Sequence, residues 1–416
     1  MTVADRRAAI ASAVCLTLAL FFLTLWRFGA NQFLILAVVV VLIHRPWRQT
    51  LFSKAYLTQP MFLVIYLFLA WAMVSMSYSQ VPSIGKALQG LTMYTKLLFF
   101  LVLPLAVTHD RARYWIAEGL ILGVLVNVIL STLFHFHVAW VVEHFASPFL
   151  SGMNFTFSIN PLQLIFVVAL AMWLLVNRFV TRQFHWHDVL IFAILMVYLW
   201  FINIERSGYL LFIVLSLLFV WQHFNQKVFV ITACLLPFLL FGVYLASPNV
   251  KARVNAGIVN VEAFYEIKDA SKIGPANSLG LRLAFLEESL QEVKLHPIVG
   301  TGIGSFRYVY MKKYGQGTNQ MQVVSGMPYF PMSVNDPHNA YTYIAFELGL
   351  VGLALYLLWL YQLWRVIELE PKVKHLLRGV FWAFVVMGVV DSGLALNAVA
   401  VSFVVISCSL LTKEKG

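Results

Sequence analysis

Long apolar stretches alternate with short polar ones along almost the whole chain. Most of them are close to the roughly 17–25 residues that an α-helix needs to cross a bilayer. Twelve such stretches can be counted, at 8–26, 30–43, 61–79, 91–108, 114–134, 161–177, 189–204, 208–221, 228–246, 339–364, 378–392 and 394–411. The pattern predicts an all-α polytopic membrane protein with about 12 transmembrane helices.

The composition excludes an ordinary soluble protein. Of the 416 residues, 61% are hydrophobic and only 11% are charged. A soluble domain carries roughly 25% charged residues, so this chain could not cover a water-exposed surface. The first apolar stretch follows MTVADRR without an obvious cleavage site, so we interpret it as an uncleaved first span.

The basic residues predict the orientation of the helices. With the N-terminus in the cytoplasm, the cytoplasmic segments hold 16 Lys and Arg, whereas the short outer segments hold 3 (Arg27, Lys86 and Arg206). This bias places both termini in the cytoplasm. It also explains most of the net charge of +11 without a nucleic-acid partner.

One long outer segment then divides the chain. We expect residues 1–246 to carry transmembrane helices 1–9 and residues 338–416 to carry helices 10–12. Residues 247–337 would form a large outer loop, which is a periplasmic loop if the cell is Gram-negative. Within the loop, LGLRLAFLEESLQEVKLHP has apolar residues at 283, 286, 290 and 293 with charges between them. This spacing predicts an amphipathic helix against the membrane or the helix bundle. The stretch GTGIGSF, with glycines 300, 302 and 304, predicts a tight turn, because no strand precedes it as a dinucleotide site would require.

Two arginines are candidates for an anion site at the outer face. Arg206, followed by Ser207, separates two apolar stretches, and Arg282 begins the amphipathic segment. A guanidinium matches phosphate oxygens in a bidentate manner. The alternatives are that Arg206 marks a helix end, alone or paired with Glu205, and that Arg282 is a solvated helix charge. Lys86 would add positive charge at the same face.

His338 is the candidate for proton transfer. In NDPHNAYTYIAF, we expect Asp336 to be the N-cap of the tenth span, with His338 and Asn339 in its first turn. The positive end of a helix disfavours the imidazolium, and a neutral imidazole can act as a general base. The alternative is a structural histidine at a membrane boundary.

No metal or cofactor site is predicted. The pairs His135 with His137 and His185 with His187 have a metal-like spacing, but we expect neither to have acidic or cysteine companions, which favours packing at the interface. The outer segments hold no Asp-x-Asp pair, so a nucleotide-sugar donor with a divalent metal is not supported.

Three blocks of residues resemble a known family. The spacing of His338, Asn339, Gly349 and Gly352 is similar to a signature of the O-antigen ligases of Gram-negative bacteria. ERSG at 205–208, and the stretch 282–306 from Arg282 to HPIVGTGIGSF, resemble the other blocks of that superfamily. The superfamily also contains O-antigen polymerases and O-linked oligosaccharyltransferases.

The resemblance implies a metal-independent membrane glycosyltransferase of the GT-C type in the inner membrane. It would transfer O-antigen polysaccharide from undecaprenyl diphosphate to the lipid A-core oligosaccharide at the periplasmic face of the membrane. The resemblance implies no cofactor, and the surrounding membrane lipids would be the only other partners. The family histidine corresponds to His338, which would accept the proton of the acceptor hydroxyl. The family arginines correspond best to Arg206 and Arg282, which would hold the diphosphate, with Asp336, Asn339, Ser207 and Lys86 in support.

Two alternatives remain open. Polymerases often carry an arginine followed by ten residues and a glycine in two outer loops, but Arg206, Arg253, Arg282 and Arg307 lack that glycine. The oligosaccharyltransferases are usually longer at the C-terminus. From another functional class, a transporter of lipid-linked glycan would also have about twelve spans. It would show repeats and charged residues near the midplane, whereas the polar residues of this chain gather at one face.

Overall fold

The computed structural model describes residues 3–107, 110–136, 138, 159–181, 185–203, 205–267, 278–314, 323–324, 327–328 and 336–411. The described residues form helices, connecting turns and one antiparallel ladder of two-residue strands, β1 (Val323–Val324) and β2 (Met327–Pro328). The α-helices are α1 (Val3–Phe22), α2 (Arg27–Ile43), α3 (Arg45–Leu51), α4 (Lys54–Leu57), α5 (Pro60–Ser75), α6 (Ile84–Thr92), α7 (Phe99–Ala106), α8 (Asp110–His135), α9 (Pro161–Val180), α10 (Trp186–Val197), α11 (Arg206–His223), α12 (Gln226–Ala246), α13 (Pro248–Ile267), α14 (Ser278–Leu295), α15 (Phe306–Tyr314), α16 (Ala340–Glu368), α17 (Lys374–Val390) and α18 (Asn397–Leu410). Short turns of other helix types cover Tyr94–Leu98, Tyr198–Ile202 and Gly393–Ala395.

The prediction of a polytopic all-α membrane protein fits this architecture. Five of the described helices are long and apolar enough to cross a bilayer, or seven if two bent pairs each count as one span. The segments Pro60–Ser75, Trp186–Ile202 and Asn397–Leu410 are apolar but shorter. The count of twelve spans therefore stays a prediction.

The helices differ sharply in how much of their surface the protein covers. In α9, 16 of 20 residues are buried, and in α18 all 14 are buried. None of the 21 residues of α12 is buried, although the helix is apolar enough to cross a bilayer. A helix that is apolar all round and uncovered by protein requires a lipid environment, because water would solvate it poorly.

Two groups of helices can be distinguished by their packing contacts. α1 packs along α2 and α8, and α9 packs against α11, α17 and α18. On the side of the predicted loop, α16 packs against α5, α14 and α17, and α14 also contacts α13. The predicted loop thus lies partly on the bundle, although residues 268–277, 315–322, 325–326 and 329–335 of it are outside the described residues.

The predicted amphipathic helix exists as α14, but its orientation was not the one that the apolar pattern suggests. Its buried side chains include Phe285, Glu288, Ser289 and Glu292, whereas Leu290 is 48% exposed. The side facing the bundle therefore carries polar groups, and the buried carboxylate of Glu288 accepts from Lys313 Nζ at 2.8 Å.

An aromatic cluster joins α14 and α15 to α16. It consists of Phe285, Phe306, Tyr310, Tyr343 and Phe346. The rings of Phe285 and Phe306 meet edge to face with centroids 6.1 Å apart, a favoured arrangement for aromatic pairs. This cluster fixes α14 over the start of α16.

The long helix α16 is broken at Gly349, where φ is 67° and ψ is −172°. The turn at 297–302 occupies the break and exchanges backbone hydrogen bonds with both sides of it. The bonds are Thr301 N to Phe346 O (2.9 Å), Gly302 N to Glu347 O (2.8 Å), Leu350 N to Pro297 O (2.8 Å) and Val351 N to Ile298 O (3.4 Å). The predicted turn at glycines 300–304 is confirmed, since all three have positive φ. Gly349 thus provides the break at which this turn docks.

Replacing Gly349 by alanine should weaken this junction. The new methyl group would lie 2.1 Å from Ile298 O, and the positive φ disfavours any residue with a Cβ. We expect a loss of at least about 2 kcal/mol in stability and a lower melting temperature of the detergent-solubilised protein. Gly242→Ala in α12 is the control, because a Cβ there meets nothing within 4 Å. Equal melting temperatures for the two variants would contradict a structural role for the break.

Candidate active site

His338 lies in the connection that leads into α16, just before the helix. The N-cap is Asn339, whose side chain accepts from Tyr341 N at 3.0 Å and Thr342 N at 2.9 Å. The expectation that Asp336 is the N-cap was therefore wrong. Asp336 instead accepts from His338 N at 3.0 Å, and His338 takes a positive φ of 53°. Because that conformation is uncommon outside glycine, the backbone here is held in place by its surroundings.

The imidazole of His338 contacts a buried carboxylate from α17. Its Nδ1 lies 3.1 Å from Asp391 Oδ2, and the side chain of Asp391 is only 3% exposed. The His338 side chain is 36% exposed. An ionised Asp391 accepts a hydrogen bond from Nδ1–H, so in the neutral imidazole the other ring nitrogen, Nε2, carries the free lone pair. This is the arrangement that orients a general base.

Neighbouring polar groups hold this pair rigidly. The second oxygen of Asp391 accepts from Ser392 N at 2.6 Å, and its carbonyl accepts from Ala340 N at 3.1 Å. The Ser392 hydroxyl donates to Asp336 Oδ1. Asn339 Nδ2 donates to Val389 O at 2.8 Å. The start of α16 and the end of α17 are thereby fastened together around His338.

The electrostatics of His338 differ from the sequence expectation. Burial lowers the pKa of His338, but the hydrogen bond and charge of Asp391 and the charge of Asp336 outweigh it, and the pKa lies above its ordinary value. The expected bias toward a neutral imidazole from the helix terminus was therefore wrong in direction. Two carboxylates close to the ring exceed the partial charge of a helix end. The imidazole of His338 is therefore a stronger base than an ordinary histidine. At a given pH, it is neutral in a smaller fraction of the molecules.

Three arginines come together beside this pair. The charges of Arg253 on α13 and Arg282 on α14 both act on Arg206, at the start of α11. The charge of Arg282 also acts on His338. Among the described residues, none of the three guanidinium groups has a carboxylate within ion-pair distance. The charge of Glu205 also acts on Arg206 and offsets part of this repulsion. The excess of positive charge that remains favours the binding of an anion with several charges.

A glycine, and a hydroxyl group without a partner among the described residues, lie close to Arg206. Its guanidinium lies against Gly257, where an added Cβ would come within 3.6 Å of the Arg206 Cζ atom. Ser207 is buried, and its hydroxyl has no hydrogen-bond partner in the part of the chain that the structure describes. Both features are compatible with a bound polar group close to the backbone.

Lys86 occupies a different position from the other predicted residues. It lies on α6, where its carbonyl is close to Gly304, and its Nζ donates to Gln89 at 3.4 Å. Within the described residues, no contact joins it to His338 or to the three arginines. Its supporting role therefore stays a prediction.

Within the described residues, two clusters of side chains offer groups that could hold a metal ion. One is Asp336, His338 and Asp391, and the other is His185, His187 and Asp188. In the first cluster Nδ1 of His338 already faces Asp391 at hydrogen-bond distance. In the second, Asp188 is bound to Arg178 at 3.0 Å, and the two imidazole rings stack on one another. The expectation that His185 and His187 have no acidic companion was therefore wrong, since Asp188 lies beside them. Of the other predicted pair, His137 lies outside the described residues.

Sequence reasoning missed Asp391 and Arg253 as site residues. In the sequence, Asp391 lies near the end of the apolar stretch 378–392, close to the break before the last stretch, and marks only that break. A carboxylate inside an otherwise apolar region of 378–411 is costly and therefore a functional signal in its own right. Arg253 gave no comparable signal, because only the packing of α13 brings its charge within range of Arg206.

The comparison with known proteins bears on the same region. The O-antigen ligase family model matches residues 191–357. The match includes Arg206, Arg253, Arg282 and His338. The resemblance to the O-antigen ligases is confirmed. Asp391 lies beyond the matched O-antigen ligase segment, which explains why the family motifs did not lead to it.

Two curated relatives point in the same direction. A protein of Rickettsia conorii named "Putative polysaccharide ligase" is 22% identical over 312 residues, which cover 74% of this chain and 68% of that protein. A protein of Rickettsia prowazekii with the same descriptive name is 24% identical over 309 residues, or 73% of this chain and 67% of that protein. Together with the O-antigen ligase match, they support a glycosyl-transfer enzyme of the O-antigen ligase and polymerase type.

Replacing Asp391 by asparagine should change the pH profile as well as the rate. Only the neutral imidazole accepts a proton, so transfer by the wild type should rise with pH through the raised pKa of His338. Asp391→Asn removes the hydrogen bond and charge that raise this pKa, so the rising limb should move to lower pH. The maximal rate should fall about 100-fold or more, because the ring loses its orientation.

The control for this experiment is Asp336→Asn. This variant should also move the rising limb of the pH profile to lower pH, but by a smaller amount than Asp391→Asn. The readout is the rate of glycan transfer across a pH series. A loss of rate in Asp391→Asn with an unshifted limb would mean that Asp391 is merely structural.

Arg253 should contribute to substrate binding although no family motif points to it. Arg253→Ala should weaken binding of a diphosphate lipid about tenfold or more, since a charged hydrogen bond contributes roughly 1.5–3 kcal/mol. Lys251→Ala, at an exposed position of the same helix, is the matched control. Equal affinities in a titration of the two variants would exclude Arg253 from the site.

Proposed function

We propose that this protein is an O-antigen ligase. It transfers O-antigen polysaccharide from undecaprenyl diphosphate to the lipid A-core oligosaccharide, without a metal or cofactor. The observation that carries the proposal is the juxtaposition of an oriented His338–Asp391 pair with three arginines that have no carboxylate partner among the described residues. A base and a polyanion site side by side are what the displacement of a diphosphate by a hydroxyl group requires.

In the proposed reaction, a hydroxyl group of the acceptor sugar attacks the anomeric carbon of the donor. His338 Nε2 accepts the proton of that hydroxyl group while the new C–O bond forms. The bond between the anomeric carbon and the diphosphate oxygen breaks, and the electron pair leaves with the diphosphate. Arg206, Arg253 and Arg282 stabilise the negative charge that develops on the leaving group. Asp391 stabilises the imidazolium until the proton is released.

The remaining features of the proposal concern location. We infer a GT-C-type bundle of about 12 spans in the bacterial inner membrane, with both termini in the cytoplasm and the site at the periplasmic face. The uncovered apolar surface of α12 and the excess of Lys and Arg in the assigned cytoplasmic segments support it. A membrane site gives two lipid-anchored substrates access from the bilayer.

His338→Ala should abolish transfer with little effect on folding. Loss of a general base lowers the rate by about 100- to 10,000-fold. The assay combines purified protein, undecaprenyl-diphosphate glycan and rough lipopolysaccharide, and measures the capped product by gel. His187→Ala, at a partly exposed position outside this site, is the control and should transfer glycan at the wild-type rate.

Two outcomes would contradict the proposal. Normal capping by His338→Ala would exclude His338 as the base. Loss of wild-type activity in a chelator, restored by a divalent metal, would assign Asp336, His338 and Asp391 to a metal site instead. Replacing rough lipopolysaccharide by a second lipid-linked glycan as acceptor separates a ligase from a polymerase.

A further inference from the structure

Glu347 is a fully buried carboxyl group in α16, and the proposed reaction does not use it. The residue is 0% exposed, and it lies two positions before the break at Gly349. Among the described residues it forms no ion pair, and its Oε2 atom has no hydrogen-bond partner. Because α16 is long and apolar enough to cross a bilayer, no bulk water solvates this group. A buried carboxylate without water or a counter-ion is costly, and such a site favours the neutral acid.

The groups around Glu347 do not offset a negative charge. Tyr94, whose hydroxyl also lacks a partner in the described part of the chain, and Tyr343 are titratable neighbours that are neutral themselves. The charge of Asp336, which also acts on Glu347, is negative. The gap between Tyr94 and Tyr343 does not admit a water molecule, so a cation has little room there. A proton on Oε2 needs no such space.

The other oxygen of Glu347 caps a helix of the outer segment. Oε1 accepts from Phe306 N at 3.3 Å, and the N–H group of Gly304 is a second backbone donor to the carboxyl group. Phe306 is the first residue of α15, where the N–H groups have no partner within the helix itself. A protonated carboxyl group keeps an oxygen that accepts such bonds. Glu347 therefore ties the start of α15 to α16 without needing a charge.

The start of α15 in turn supports the ring that packs on His338. The Phe306 ring contacts those of Phe346 and Phe285, with centroids 5.1 Å and 6.1 Å apart. The centroid of Phe285 lies 6.2 Å from that of the His338 imidazole. The acceptor oxygen of Glu347 thus fixes Phe306 and Phe285 and, through them, one side of the His338 ring.

We propose that Glu347 is held as a neutral carboxylic acid and is a positioning residue for His338. It acts through Phe306 and Phe285 and takes no part in the proton transfer. The positioning role rests on the proposed function, whereas the protonation of Glu347 does not. Glutamine has the shape and the carbonyl acceptor of the neutral acid, so it should replace Glu347 well.

Glu347→Gln and Glu347→Leu test the positioning role. The glutamine retains the acceptor, so the purified full-length variant should transfer glycan within about twofold of the wild-type rate. The leucine is similar in size but leaves Phe306 N–H without its partner, and the rate should fall about tenfold or more. Transfer by Glu347→Leu at the wild-type rate would overturn the positioning role. A folded but inactive Glu347→Gln variant would overturn the neutral acid.

The pH dependence of the melting temperature tests the protonation without any transfer assay. The folded wild type keeps the proton of Glu347, whereas the unfolded chain releases it above roughly pH 4.3. Because the folded state then binds more protons, the melting temperature of the wild type relative to Glu347→Gln should fall between about pH 5 and pH 8. Glu287→Gln, at an exposed position of α14, is the matched control and should follow the wild type at a constant offset. Parallel curves for the wild type and Glu347→Gln would exclude a protonated Glu347.

Infrared spectroscopy detects the proton in the unmodified protein, where folding is not in question. At neutral pH the wild type should show a carboxylic-acid C=O band that Glu287→Gln retains and Glu347→Gln lacks. If added Na⁺ or K⁺ raises the melting temperature of the wild type but not of Glu347→Gln, a bound cation replaces the proton and the inference is wrong.

These measurements also separate the inference from the proposed function. If the wild type transfers glycan while the carboxylic-acid band is absent, the inference fails and the proposed function stands. If the band and the pH dependence are found but the wild type forms no glycolipid, the proposed function fails and the protonated state of Glu347 stands.

Discussion

Backbone N–H and C=O groups at membrane depth must find partners, because hydrocarbon offers none. The break in α16 at Gly349 would leave such groups free on both sides. The turn at 297–302 supplies their partners from outside the helix, through its own backbone. The indole of Trp71 adds a further bond, from Nε1 to Leu348 O at 2.8 Å. The same exchange therefore completes α16 and fixes the turn that follows α14.

The position of the candidate site depends on this junction. α14 ends immediately before the docked turn, so fixing the turn also fixes the helix that carries Arg282 and Phe285. These two residues are three positions apart and share one face of the helix. The ring centroid of Phe285 lies 6.2 Å from that of His338, and the charge of Arg282 acts on the same imidazole. A backbone contact some distance along the chain thereby places a cation beside the base.

Opposite charges meet at His338. Asp391 and Asp336 raise its pKa, and Arg282 opposes them. The carboxylates are fastened to the ends of α16 and α17, whereas the arginines come from α11, α13 and α14. The base and the anion site are thus built on different elements. An anion bound by the arginines would offset the positive charge of Arg282, which lowers the pKa of His338. The pKa of His338 would then rise further, and the imidazole would become a stronger base.

The apolar stretches predicted an all-α protein and the approximate positions of its helices. This was possible because a membrane-spanning helix depends only on the residues within its own stretch. The motifs also identified His338, Arg206 and Arg282, which the structure places in one region. By contrast, the buried side of α14 carries Glu288 and Glu292, opposite to the predicted apolar face. A helix between a protein surface and a lipid or solvent phase has no single inward direction that its pattern can reveal.

By itself, the sequence determined an apolar helical bundle, an excess of basic residues in alternate connections and the residue types available for chemistry. Only the tertiary structure decided that Asp391, 53 residues beyond His338, orients its imidazole and that Arg253 joins the other two arginines. The physical reason is that helix formation depends on neighbours within a few turns. The protonation and orientation of a side chain depend instead on whichever charges packing brings close to it.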